Sequence, residues 1–245
     1  MNSSEVNQLL RNLQNEWNEK ILIPYAKDHP ETISKPFYYG VSKEYCRANK
    51  RIMIVGQETN KFEVYTDNWP LDDIQPWCID YLQFQLWKIE AIGRDKVDYN
   101  SSPFWRMFRE FDSRGITPSW NNVDKIQQYN AKDEKNFPLS IEQEKYFSCR
   151  YGNDNKSLLQ REIELDEPDI LLFITGPNYS FTMATALGLE EKVLKSYRPT
   201  KQNFCVEITD LLNIKPKVFW TYHPAYLNRN HIIVTCVNYI CEKLL

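Results

Sequence analysis

Short apolar runs, each followed by polar residues, mark the predicted strands of this chain. They lie at 51–55, 119–123, 169–175 and 217–221, and a further strand candidate lies at 205–209. Apolar residues recur at helical spacing in segments around these strands, namely 4–20, 78–92, 101–111, 157–166, 183–194 and 232–245. The alternation of helix and strand predicts an α/β protein, a three-layer α/β/α arrangement with a central four-stranded parallel sheet.

The length predicts one domain over residues 1–245, since 245 residues can bury one substantial core but hardly two. Residues 1–50 are expected to form a helical and irregular extension, of which 21–39 is punctuated by proline and laid over the surface. Residues 127–156 are polar without clear periodicity, which predicts an insertion or a lid.

Composition excludes several classes of protein. The chain has no GxGxxG or GxxxxGK[ST] sequence, so the usual nucleotide-binding loops are absent. Six cysteines occur without a CxxC pair, and no His, Cys or Asp cluster has metal-ligand spacing, so we expect neither metal nor cofactor. With no membrane-length apolar run and no signal-like start, we expect a cytoplasmic monomer, or a nuclear one in a eukaryotic host.

The charge argues mildly against nucleic acid as a partner. The net charge is −3 and the pI is near 5.8, whereas domains that bind nucleic acid usually carry a basic excess. DNA binding would therefore need a local basic face.

Polar side chains follow the predicted strands where each strand ends. Gly56 allows a tight turn after the first strand, and that turn carries three polar residues, Gln57, Glu58 and Asn60. Asn122 lies near the end of the second predicted strand, and His223 follows the last. Because parallel strands share one carboxyl edge, these side chains are expected to line one crevice.

Two motifs resemble those of the uracil-DNA glycosylase superfamily. Gly56-Gln57-Glu58-Thr59-Asn60 is similar to its first motif, and Tyr222-His223-Pro224-Ala225-Tyr226-Leu227 is similar to its last. Between them, Pro103-Phe104 resembles the segment whose phenylalanine stacks on the flipped base. Asn122-Val123-Asp124-Lys125 resembles the strand whose asparagine reads uracil. The resemblance spans residues 51 to about 229 in the family's order.

The resemblance implies a monofunctional DNA glycosylase that removes uracil or a related deaminated base. Glu58 would stabilise the cationic sugar and orient water, and His223 would donate a hydrogen bond to the base. Five residues would bind the base, namely Gly56, Gln57, Asn60, Phe104 and Asn122. Leu227 would fill the gap left in the duplex, and Arg229 would hold a phosphate. The last motif is most similar to the branch that binds an iron–sulfur cluster, but the required cysteine spacing is missing.

Other interpretations remain open at this stage. The chain could be a non-catalytic module that binds nucleic acid or a partner, or an N-glycosidase that acts on a small nucleoside. A filled crevice favours the first, and an acidic rim with a deep closed pocket favours the second. A basic strip favours DNA, with the candidates Arg106, Arg109, Lys125 and Arg229.

Single residues also have alternatives. Glu58 could simply cap a helix, and Phe104 could belong to the core-facing stripe of its helix. Asn121 could be the inward residue instead of Asn122, because neighbouring strand residues point to opposite faces. Leu227 could be ordinary packing.

Overall fold

The computed structural model describes residues 1–59, 62–66, 71–88, 101–149, 151 and 154–244. Its helices are α1 Ser3–Trp17, α2 Ile23–Asp28, α3 Lys43–Arg47, α4 Ile74–Trp87, α5 Pro103–Asp112, α6 Ile141–Phe147, α7 Leu158–Asp166, α8 Ser180–Leu187, α9 Glu191–Ser196, α10 Pro224–Arg229 and α11 Ile233–Glu242. Its strands are β1 Arg51–Gly56, β2 Thr117–Asn122, β3 Gln128–Asn130, β4 Lys135–Phe137, β5 Ile170–Phe173, β6 Cys205–Glu207 and β7 Lys217–Thr221.

The main sheet has five strands in the order β2-β1-β5-β7-β6. The first four strands in that order run parallel, whereas β6 pairs with β7 in the antiparallel direction. The prediction of an α/β protein with a largely parallel sheet is therefore confirmed, and the predicted count of four strands is wrong. Strand β6 has only three residues, too few for the sequence pattern to indicate its partner. It pairs with β7, which would otherwise be the edge strand of the sheet.

The central strands β1 and β5 bury both of their faces, and helices cover the sheet on both sides. On β1, Met53 and Val55 belong to one core cluster, and Ile52 and Ile54 belong to the other. The first cluster includes residues of α1, α7 and α8, and the second includes residues of α5 and α11. Alternation along the strand thus produces two cores.

The segment 33–42 is buried at every residue, so the expectation of a surface stretch there is wrong. Phe37 and Tyr39 have no exposed surface, and the backbone N–H of Phe37 donates to the carbonyl of Lys125 at 2.6 Å. Pro36 favours an extended backbone at the residue before it, but the aromatic residues of the segment provide the apolar area that makes burial favourable.

Two other segments differ from the prediction. The helix expected over 183–194 is two helices, because Gly188 takes a left-handed conformation with φ 68° and ends α8. The segment 127–156 contains the β3–β4 hairpin and α6, which begins with a capping box formed by Ser140 and Gln143. No helix within the described ranges is long and apolar enough to cross a membrane.

Candidate active site

A cleft of about 980 Å³ lies at the carboxyl edge of the sheet. Residues from the ends of β1, β2 and β7 and from the start of α5 line it together. Five residues singled out from the sequence share this cleft or its floor: Gln57, Glu58, Phe104, Asn122 and His223. The structure therefore brings together side chains that are up to 166 positions apart, from Gln57 to His223.

Gly56 makes room for Asn122 at the floor of the cleft. The two residues are register partners between β1 and β2. A Cβ atom on Gly56 would lie 2.5 Å from Oδ1 of Asn122 and 3.4 Å from the ring of Phe104. Only glycine lets the asparagine side chain lie across the end of β1.

Strand alternation decides which asparagine faces the cleft. Nδ2 of Asn121 donates to Glu162 at 3.0 Å in the core, whereas Asn122 lines the cleft. Oδ1 of Asn122 accepts a hydrogen bond from Nε1 of Trp120 at 3.3 Å. Its Nδ2 atom is buried and has no partner among the described residues.

Glu58 is a half-buried carboxyl group in the same cleft. Burial raises its pKa above the ordinary value, the nearby carboxylate of Glu144 adds to the rise, and the Gln127 amide opposes it. Oε2 of Glu58 is buried without a hydrogen-bond partner in the described part of the chain. An ionised carboxyl group with one oxygen left without a partner in this way is suited to stabilise a positive charge on a ligand.

His223 is held in one orientation by the helix that follows it. Its Nδ1 accepts a hydrogen bond from the backbone N–H of Ala225 at 3.2 Å, which caps α10. The proton of the neutral imidazole therefore lies on Nε2, and that atom is the donor. Burial and the positive charge of Arg229 lower the pKa of His223, which favours the neutral ring.

Aromatic side chains form much of the wall. The ring centroid of Phe104 lies 6.4 Å from that of His223 and 6.1 Å from that of Trp120. Trp77 and Tyr81 stack face to face at 5.2 Å on α4. Trp77, Tyr81 and Trp120 are not among the site residues predicted from the sequence, although the spacing of four residues between the first two places them on one helix face.

The remaining predicted residues have other surroundings. Gln57 donates through Nε2 to the carbonyl of Thr175 at 2.7 Å and so links the turns after β1 and β5. Asn60 lies outside the described residues. Leu227 has no exposed surface and packs in the second core cluster. Arg229 is exposed at the end of α10.

The charges around the cleft are largely acidic within the described ranges. Glu63 and Asp73 line the cleft together with Glu58, and the lining residue Lys35 forms an ion pair with Glu63. Lys125, one of the four candidates for a basic strip, is instead buried in an ion pair with Glu162.

The other candidates for the strip differ from Lys125. Arg109 is half-buried and donates to the carbonyl of Gln85 at 3.0 Å. Arg106 and Arg229 are exposed on the neighbouring helices α5 and α10. Of the four candidates for the basic strip, two are therefore exposed cations.

The arrangement is suited to bind a flat heterocycle. Phe104 can stack on a ring, Asn122 and His223 can hydrogen-bond its edge, and Glu58 can stabilise positive charge beside it. Within the described residues, no group of three His, Cys, Asp or Glu side chains could hold a metal ion. No protein-family model matches the chain, and no curated protein matches it.

Proposed function

We propose that this chain hydrolyses the N-glycosidic bond of uracil or a related deaminated base in DNA. The observation that carries the proposal is that Glu58 and His223 line one cleft. Phe104 and Asn122 line the same cleft. The order of the motifs along the chain supports a relationship to the uracil-DNA glycosylase superfamily and its three-layer fold. A role in base-excision repair, in the cytoplasm or nucleus, goes with this proposal.

Glu58 and His223 would act on the two sides of the breaking bond. Cleavage leaves a sugar with oxocarbenium character and a base with negative charge. Glu58 would stabilise the cation and orient the attacking water. Nε2–H of His223 would donate to the base oxygen on which negative charge develops, and a preorganised donor of this kind contributes about 3 kcal/mol.

Phe104 and Asn122 would hold the extruded base. Stacking on an aromatic ring contributes about 1–3 kcal/mol per base. The Asn122 amide would hydrogen-bond the base edge, with Gly56 providing the space for it and Gln57 fixing the turn. Arg229 would contact a phosphate, since its side chain is exposed at the last residue of α10, the helix that His223 caps.

The direct test is an assay for abasic sites. End-labelled single- and double-stranded oligonucleotides with one uracil are incubated with the protein, treated with alkali and resolved on a gel. We expect the wild type to produce strand breaks at uracil, and both Glu58→Gln and His223→Ala to reduce the single-turnover rate by about 100-fold or more.

The controls are Glu63→Gln, a carboxylate in the same cleft, and His231→Ala, an exposed histidine. Both should cleave at a rate close to the wild type. Equal rates in all variants would remove Glu58 and His223 from the mechanism, and no strand breaks with the wild type would exclude uracil-DNA glycosylase activity.

The acidic lining favours a second candidate, an N-glycosidase that acts on a small nucleoside. Glu63 and Asp73 would repel a phosphate backbone, whereas a neutral nucleoside meets no such repulsion. Chromatography of uridine and deoxyuridine reactions, scored for free uracil, tests it. Release from nucleosides without release from oligonucleotides would select this candidate, and binding of uracil with neither release would indicate a non-catalytic module.

A further inference from the structure

Trp120 fixes the direction of the Asn122 side-chain amide. Its Nε1 lies 3.3 Å from Oδ1 of Asn122. An indole N–H can only donate a hydrogen bond, so the amide atom that faces it must be the oxygen. The nitrogen of the same planar amide must then point away from the indole.

The indole itself has little freedom to turn. Its ring centroid lies 4.6 Å from that of Phe37 and 5.1 Å from that of Trp105. Trp120 is also a register partner of Ile54 in the centre of the paired strands β1 and β2. Close packing therefore keeps the N–H aimed at Asn122.

Among the residues that the structure describes, none accepts a hydrogen bond from the amide nitrogen of Asn122. The nitrogen is buried, and the residue is 1% exposed. A buried donor without a partner is costly, so a ligand atom that accepts its hydrogen bond gains affinity. The matching ligand edge has a carbonyl oxygen at that position.

We propose that Trp120 is a positioning residue that makes the cleft select a base with a carbonyl group over one with an amino group. This inference rests on the proposed function, because it assigns the specificity of the same cleft. Uracil presents a carbonyl oxygen where cytosine presents an amino donor. With the amide direction fixed, cytosine would set two donors against each other.

The test replaces the donor and keeps an aromatic ring. Trp120→Phe removes the indole N–H, so the Asn122 amide can rotate and present its oxygen to an amino group. The matched control is Trp105→Phe, which changes an indole in the same wall and in contact with Trp120. Dissociation constants for free uracil and free cytosine are measured by NMR titration of all three proteins.

We expect the wild type and Trp105→Phe to bind uracil at least about tenfold more tightly than cytosine. In Trp120→Phe this ratio should fall by about tenfold, because both bases can then pair with the amide. A purely structural role for Trp120 would weaken both ligands alike and leave the ratio unchanged. An unchanged ratio, or equal affinities in the wild type, would overturn the inference.

A second measurement on the wild type covers the case in which Trp120→Phe does not fold. Uracil should shift the NMR signals of the Asn122 side-chain NH₂ group. The chemical shift of the Trp120 indole N–H should stay that of a hydrogen-bonded proton. Loss of that indole hydrogen bond on uracil binding would contradict the proposal. Since neither readout needs bond cleavage, selective binding without hydrolysis would refute only the proposed function, and hydrolysis with an unchanged ratio would refute only this inference.

Discussion

At the scale of single residues, carboxyl groups are buried next to the cleft. Asp124 follows Asn122 by two positions and is 2% exposed. Its Oδ2 accepts a hydrogen bond from the hydroxyl of Tyr179, and its Oδ1 has no partner among the described residues. Burial raises its pKa well above the ordinary value, and the carboxylates of Glu144 and Glu58 add to the rise. The charged form of Asp124 is therefore less favourable in the folded protein than in the unfolded chain.

This burial predicts a pH dependence of stability. An acid whose pKa is higher in the folded than in the unfolded state destabilises the fold once pH exceeds the unfolded pKa of about 3.9. The loss grows until pH passes the folded pKa. Asp124→Asn removes this contribution because asparagine does not ionise. Its amide oxygen can still accept the hydrogen bond from Tyr179.

We therefore expect Asp124→Asn to flatten the decline of the unfolding free energy above about pH 4 and to be at least as stable as the wild type at neutral pH. Urea denaturation at several pH values measures both quantities. The control is Asp210→Asn at an exposed position, which should keep the wild-type dependence of unfolding free energy on pH. A slope in Asp124→Asn as steep as in the wild type would show that Asp124 ionises as readily in the fold as in the unfolded chain.

At the scale of elements, the last two residues of β2 face different surroundings. Asn122 lines the cleft, while Asn121 points into the core, where Lys125 and Glu162 form an ion pair of 2.6 Å. The side chains of that pair are 5% and 0% exposed. This ion pair joins the segment after β2 to α7.

Removing one partner of the pair should therefore be strongly destabilising. Lys125→Met leaves the Glu162 carboxylate buried with amide donors from Asn121 and Gln14. We expect a loss of about 3–5 kcal/mol of unfolding free energy, measured by urea denaturation.

The double variant Lys125→Met/Glu162→Met tests the cause. It removes both charges, so it should recover part of that loss. A double variant less stable than Lys125→Met would mean that the damage comes from lost packing and not from an uncompensated charge.

At the scale of the whole molecule, the distribution of charge is the feature on which the two proposed substrates differ. The net charge is −3, and Glu63 and Asp73 add negative charge at the cleft. The exposed cations Arg106 and Arg229 lie on α5 and α10 instead. An oligonucleotide would have to approach along those two helices, whereas a nucleoside could enter past the acidic residues.

This distribution predicts an effect of charge removal on oligonucleotides alone. Glu63→Gln/Asp73→Asn removes two negative charges and leaves Lys35 opposite a neutral amide. We expect the KM for a uracil-containing oligonucleotide to fall by about threefold at low salt, and less at high salt. The KM for a nucleoside should stay the same.

The control Glu5→Gln/Glu242→Gln removes the same number of charges from α1 and α11, which do not line the cleft. It should leave both KM values close to those of the wild type. An equal drop in the oligonucleotide KM with this control would assign the effect to net charge and not to the lining of the cleft.

Local patterns in the sequence determined the α/β class, the four parallel strands and the polar residues placed at their ends. These features follow from periodicity and from the shared carboxyl edge of parallel strands, which need no knowledge of distant contacts. The burial of the segment 33–42 could not be predicted, because it depends on neighbours far along the chain.

Only the tertiary structure decided which partner each polar group meets. The antiparallel edge strand β6 depends on the open side of β7. The choice between Asn121 and Asn122 depends on the pairing of β2 with β1, which also sets Asn122 over Gly56. The hydrogen bond from Trp120 follows from the same pairing. A sequence fixes which side chains are available, but pairing and packing between distant segments fix their direction.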